Sequence, residues 1–275
     1  MQKKLKIGVF DSGVGGLTVF KEIVAKLPDY DYLYLGDNAR APYGDHSFDV
    51  IYKYTLECVE WMFKQGCELI ILACNTASAK ALRNIQQKDL VDRYPHKRVL
   101  GVIRPTAETI GNYSKTGNIA VLGTRGTIES GSYLLEINHF FPNLKVHQQS
   151  CPLWVPLIEN KEHLSEGAAY FVEKDLKKLA IQSNSIDVIL LGCTHYPLMI
   201  PTIKKFVSPD VKIISQGEIV ANSLVDYLNR HPELERELSK NSTVRFCTTG
   251  SELDFKNHAS LFFDKEINTE KVTVG

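Results

Sequence analysis

Two cysteines of this chain lie in matching surroundings. The segments ELIILACNTASAK (68–80) and DVILLGCTHYPLM (187–199) align without a gap and set Cys74 on Cys193. In each, a run of apolar or small residues, 69–73 and 188–192, reads as a buried strand, and the chain turns polar at the cysteine. Asn75-Thr76 and Thr194-His195 come next, small polar residues able to cap a helix, with Pro197 in the first turn of the second one, which the apolar periodicity carries to Phe206. A thiol between a strand end and a helix N-terminus is biased toward the thiolate, and the same helix end favours an anion. One such cysteine would read as ordinary core packing. Two copies of one design argue for a function that uses a pair. Opposed across one pocket, a thiolate could remove a proton from a carbon beside a carboxylate while a thiol delivers one to the opposite face. The weakly acidic α-proton of an amino acid would then need donors aimed at the carboxylate, which Asn75, Thr76 and Thr194 could supply.

Other reactive side chains fall at the same kind of place. The first strand, Leu5 to Phe10, ends at Asp11-Ser12-Gly13-Val14-Gly15-Gly16, which offers a carboxylate and a hydroxyl at the sheet edge where open α/β folds bind ligands. Asp37, at the end of YLYLGD, could serve a dinucleotide ribose, but the fingerprint requires glycine or alanine at the position of Thr18. In the loop 39–47, Tyr43 is fixed between Pro42 and Gly44 and supplies a phenol and free backbone N–H groups. Segment 119–125 can be laid on 7–13, which sets Thr124 opposite Ser12. CPLWVPLIEN (151–160) reads as a proline-punctuated loop carrying Glu159, with Cys151 and Trp154 as packing residues.

The elements that hold these groups alternate strand and helix along the whole chain, as an α/β protein with mainly parallel sheets requires. Helices are expected at 49–64, 74–90, 104–113, 164–180 and 218–229, and strands at 98–103, 145–148, 212–215 and 244–248. The polar stretch HPELERELSKNS and a short terminal helix with a frayed end complete the chain. The chain of 275 residues has room for two domains, and no low-complexity linker divides it, so the domains are expected to share crossings. Lys+Arg and Asp+Glu both number 32, which leaves no broad basic field for nucleic acid. No apolar run is long enough to span a bilayer, and the chain enters its first strand at once, so a cytoplasmic protein is expected. Six scattered cysteines form neither a disulfide framework nor a zinc spacing, so no metal is expected. No lysine stands at a strand end in company that would suit a pyridoxal cofactor.

IGVFDSGVGGLTV, YLGDNARAPYG, ACNTASA, LGTRGT, CPLWVPLIE and GCTHYPL occur in this order over nearly the whole length. In this the chain resembles the glutamate racemases of the cofactor-independent aspartate/glutamate racemase superfamily. The resemblance implies two pseudo-symmetric α/β domains with the active site at their interface, the first discontinuous (1–97 plus 212–275) and the second at 98–211. It implies Cys74 and Cys193 as the two acid/bases, Asp11 assisting the first, and Glu159 with His195 assisting the second. Implied substrate contacts are Asp11, Ser12, Tyr43, Gly44, Asn75, Thr76, Thr124, Thr194 and His195. It also implies a cytoplasmic homodimer that needs no cofactor and supplies D-glutamate for peptidoglycan. The sequence departs from the family pattern at VIRPT, where Arg104 and Thr106 stand in place of an acid or small residue and a glycine. A sister enzyme acting on aspartate or a hydantoin would share the two-thiol logic, although HYPL after Cys193 favours glutamate. A non-enzymatic amino-acid-binding module would keep the carboxylate site but have no use for both thiols.

Overall fold

The computed structural model describes residues 5–275. Strands covered by helices on both faces must be apolar throughout, and Leu69 to Leu72 and Val188 to Leu191 are all at most 2% exposed. The strands are β1 (Lys6–Asp11), β2 (Tyr32–Gly36), β3 (Cys67–Leu72), β4 (Arg98–Gly101), β5 (Asn118–Gly123), β6 (Lys145–Ser150), β7 (Val188–Gly192), β8 (Lys212–Ile214), β9 (Val244–Thr248) and β10 (Thr269–Lys271). They form two sheets, one in the order β10-β9-β2-β1-β3-β4 and one in the order β6-β5-β7-β8. Every pairing between these strands is parallel. The quartets β2-β1-β3-β4 and β6-β5-β7-β8 repeat one order, with β1 matching β5 and β3 matching β7. Cys74 and Cys193 therefore leave equivalent strands at equivalent sheet edges.

The helices that concern the site are α1 (Leu17–Lys26), α2 (Phe48–Lys64), α3 (Asn75–Lys80), α4 (Ile103–Ile110), α5 (Arg125–Glu129), α6 (Ser132–Phe140), α7 (Trp154–Glu159), α8 (Glu166–Gln182), α9 (Gly217–Arg230) and α10 (Glu252–Phe263). The chain crosses from the first sheet to the second between β4 and α4 and returns between β8 and α9, which packs on α1. Lys212 of β8 pairs with Val188 of β7, so residues 212–214 stay with the second sheet, just beyond the point where the sequence division ends it. One apolar cluster runs through both halves, joining Ile7, Leu69 and Ile71 to Leu122, Ile189, Leu191 and Trp154.

Four local expectations are corrected. No continuous helix runs from Thr194 to Phe206: Tyr196–Met199 is a 3₁₀ turn and Ile200–Ile203 a single α-turn. Pro201 is the cause, since it has no N–H to bond the carbonyl four residues back and its ring crowds that carbonyl. The helix after Cys74 is not uniform: helical backbone continues to Arg93, but it is distorted at Ala81 and loosens into a π-helical stretch at Ile85–Asp89. CPLWVPLIEN holds the helix α7 and not a loop, with Trp154 at its start fully buried. The terminal region forms α10 and then β10, the edge strand beside β9, in place of a short helix and a frayed end. No helix of the described residues is long and apolar enough to cross a membrane.

Candidate active site

Cys74 is itself the N-cap of α3. Its backbone is extended and its sulfur accepts the Ala77 N–H at 3.5 Å, the part a serine or aspartate oxygen plays in other helices. Its thiol donates to Ser12 Oγ at 3.4 Å, which binds the end of β3 to the loop after β1. Burial pushes the Cys74 thiol up to about 12, helped by the charge of Asp11 and opposed by the hydrogen bond to Ser12. Desolvation outweighs the hydrogen bonds that the sulfur makes with Ser12 and the Ala77 N–H, and this cysteine rests as a thiol.

Cys193 keeps different company. His195 Nδ1 lies 4.0 Å from its sulfur, and the other ring nitrogen meets Glu159 Oε1 at 2.9 Å. Burial opposes charge on this ring, but the hydrogen bonds to Cys193 and Glu159 prevail and hold its pKa up at about 10. Burial acts to raise Glu159, but its bond to His195 prevails and holds it below its usual range. Beside Cys193 the expected α-helix end is replaced by the start of a 3₁₀ turn, and the imidazolium supplies positive charge there. His195 is fixed from three sides. Gly15 is so close that an added Cβ would lie 2.3 Å from Nδ1, the Phe262 ring of α10 meets the imidazole edge to face at 5.3 Å, and Glu159 closes the third. His258, also on α10, hydrogen-bonds the Glu159 carbonyl at 2.9 Å and anchors the end of α7.

A single cleft between the halves is lined by Cys74 and Cys193 together with Ser12, Tyr43, Gly44, Asn75, Thr76, Thr124, Glu159, Thr194 and His195. Asp11 is the one expected site residue outside the lining. It lies fully buried beneath the cleft, where Oδ2 accepts the Gly13 N–H at 3.0 Å and Oδ1 faces the Thr194 hydroxyl at 3.5 Å. Burial raises Asp11, against the pull of His195. No hydrogen bond joins it to Cys74, and its influence there is through charge. Tyr43 lines the cleft with its ring, while its hydroxyl donates to Asp37 at 2.5 Å. Asp37 also takes Arg40 at 2.7 Å and the Thr249 hydroxyl at 2.7 Å, so the acid weighed as a ribose ligand is a loop anchor. The Thr18 hydroxyl, which breaks the dinucleotide pattern, instead lies 2.8 Å from Thr194 O across the two halves and 2.9 Å from Gly15 O, and donates its one hydrogen between them.

Thr127, Tyr133 and Gln216 do not line the cleft but hold its lining residues Thr76 and Asn75, and were not singled out by the sequence. The hydroxyls of Thr76, Thr124 and Thr127 lie 3.0 to 3.2 Å from one another, joining α3 to α5 over the cleft. The Asn75 amide is already engaged, its oxygen by Tyr133 and its nitrogen by Gln216. Of the two departures from the family pattern, Arg104 is an exposed partner of Glu108 at 3.1 Å, and Thr106 is buried against Val102 O and Gln216. A repeated cysteine can be found by aligning the chain with itself. A tyrosine in a helical run and a glutamine at a crossing carry no such signal.

The chain is 37% identical to a glutamate racemase of Streptococcus suis over 266 residues, 97% of each chain. It is 36% identical in sequence to a solved glutamate racemase isoform from Bacillus anthracis, with 98% of each chain covered and a TM-score of 0.88. The glutamate racemase of Francisella tularensis, solved in complex with D-glutamate, matches at 32% identity and a TM-score of 0.85 over 99% of this chain and 98% of that one. Residues 7–224 match the family model described as Asp/Glu/Hydantoin racemase. With paired cysteines on equivalent strands and these relatives along its full length, the chain belongs to the Asp/Glu/hydantoin racemase family.

Proposed function

We propose that the chain is a cofactor-independent glutamate racemase that interconverts the two enantiomers by two-base proton transfer. The observation that carries this reading is the unequal company of two cysteines lining one cleft. Cys74 is held as a thiol, at about 12, and Cys193 faces the imidazolium of His195 at 4.0 Å. A two-base racemase needs one acid and one base at the start of each turnover. Cys193 as thiolate takes the α-proton of one enantiomer and becomes a thiol. Cys74 delivers its proton to the opposite face and is left as the thiolate from which the reverse reaction starts. The Glu159 carboxylate keeps His195 charged, and Asp11 acts through charge on the Cys74 side. Backbone N–H groups and the hydroxyls of Ser12, Thr76, Thr124 and Thr194 hold the substrate carboxylate as negative charge builds beside it.

Glutamate as substrate is supported by the names of full-length relatives at 36–37% identity and by the D-glutamate bound to the Francisella tularensis enzyme. On this reading the protein is a cytoplasmic homodimer that supplies D-glutamate for peptidoglycan. Its first domain comprises 1–97 with the returning segment, and its second begins at 98. The test is incubation of purified protein with L-glutamate in D₂O, followed by optical rotation and α-deuterium NMR. Deuterium at Cα with conversion to D-glutamate is expected. Exchange with aspartate but not glutamate would replace the substrate, and exchange with neither would leave an amino-acid-binding protein.

A further inference from the structure

A closed ring of hydrogen bonds lies behind the two cysteines. Asn75 Nδ2 donates to Gln216 Oε1 at 2.7 Å, Gln216 Nε2 donates to the Tyr133 hydroxyl at 2.6 Å, and that hydroxyl donates to Asn75 Oδ1 at 2.5 Å. Each group is both donor and acceptor in one direction around the ring, the arrangement in which hydrogen bonds polarise and strengthen one another. Asn75, Tyr133 and Gln216 are all at most 3% exposed. Gln216 Nε2 also reaches Thr106 Oγ1 at 3.0 Å and Val102 O at 3.2 Å.

The placement of these residues gives the ring its meaning. Asn75 is the residue directly after Cys74. Tyr133 packs on Gly192, which directly precedes Cys193, so closely that a Cβ there would lie 3.1 Å from the tyrosine ring. Val102 is at the first crossing between the halves and Gln216 at the second. Three points near the cysteines and the first crossing, Asn75, Tyr133 and Val102, thus meet at the Gln216 carboxamide on the second crossing. The ring adds directional bonds, with narrow limits of distance and angle, to the packing that holds these elements together.

We propose that Gln216 is a positioning residue that, through Asn75 and Tyr133, sets the register of the two thiols on opposite faces of the substrate carbon. This rests on the racemase reading above. The whole protein is incubated with L-glutamate in D₂O, and the rate of α-deuteration is compared with the rate of inversion. A variant that is merely less folded loses both rates in the same proportion. A variant with misaligned thiols loses inversion more. The carbanion is then reprotonated on the face it came from, by a thiol that has exchanged its proton with solvent. For Gln216→Met, inversion is expected to fall about 10- to 100-fold, the scale of a misplacement of about 1 Å, and the ratio of exchange to inversion to rise several-fold. Tyr133→Phe keeps the packing on Gly192 and breaks the same ring, so it should raise the ratio too, and it carries the test alone if the first variant does not fold. The double variant should be little worse than the worse single one, since both open one ring. An unchanged ratio overturns the proposal. Wild-type protein with neither exchange nor inversion overturns the racemase reading instead.

Discussion

At the scale of single residues, the two thiols leave equivalent strands and differ in the charged groups beside them, Asp11 near Cys74 and His195 with Glu159 near Cys193. Serine at either position keeps the shape and removes the acidity on which proton transfer depends. Cys74→Ser and Cys193→Ser should each lower turnover by about 10²- to 10⁴-fold, with glutamate still protecting the folded protein in a thermal shift assay. The His195–Glu159 pair makes a pH prediction. The ring is raised from 6.5 to about 10, so its favourable charge is fully present below pH 6.5 and is lost as pH climbs through about 10. Activity that depends on the imidazolium should fall on the alkaline side. Glu159→Gln removes one of the groups that raise the ring, so the alkaline limb of kcat/KM should move toward lower pH. A limb that stays in place would mean that Glu159 does not set it.

At the scale of elements, the paired strands were legible because a repeated apolar run ending in a polar residue survives in sequence however far apart the copies lie. The segments after the two cysteines were less legible. Pro197 fits the start of a helix, and it is Pro201, four residues on, that rules out a continuous one. In CPLWVPLIEN the prolines suggested a loop, yet Pro156 lies in the first turn of α7, where a missing N–H costs nothing. Burial is the cause of that helix. Trp154 is sealed in the core with its ring 4.9 Å from that of Tyr196, whose hydroxyl donates to Cys151 O at 2.8 Å. No local pattern encodes that contact, because its partner is 42 residues away on the Cys193 loop. Trp154→Ala should cost about 3–5 kcal/mol of stability. It should also loosen Glu159 and the 3₁₀ turn together, read as faster amide exchange across 154–159 and 196–199.

At the scale of the molecule, two related sheets could have been two independently folding bodies. The structure argues against independence in two ways. Its largest apolar cluster crosses from β1 and β3 to β5 and β7, and the chain passes twice between the halves. The sequence announced the repetition but not this fusion, since contacts between the copies join residues with no common spacing. Thr18 is the clearest example, a hydroxyl that looked like a defect in a dinucleotide motif and that bonds Thr194 O at 2.8 Å beside Cys193. If the halves share one core, urea should unfold the protein in a single transition, tracked alike by tryptophan fluorescence and circular dichroism. Thr18→Val keeps the side-chain volume and leaves the buried Thr194 carbonyl without this donor, at a cost of about 1–3 kcal/mol. The midpoint should then fall with the slope unchanged, because the surface exposed on unfolding is the same. A second transition, or a shallower slope in the variant, would mean that the halves can part before they unfold and that Thr18 is one of the bonds holding them together.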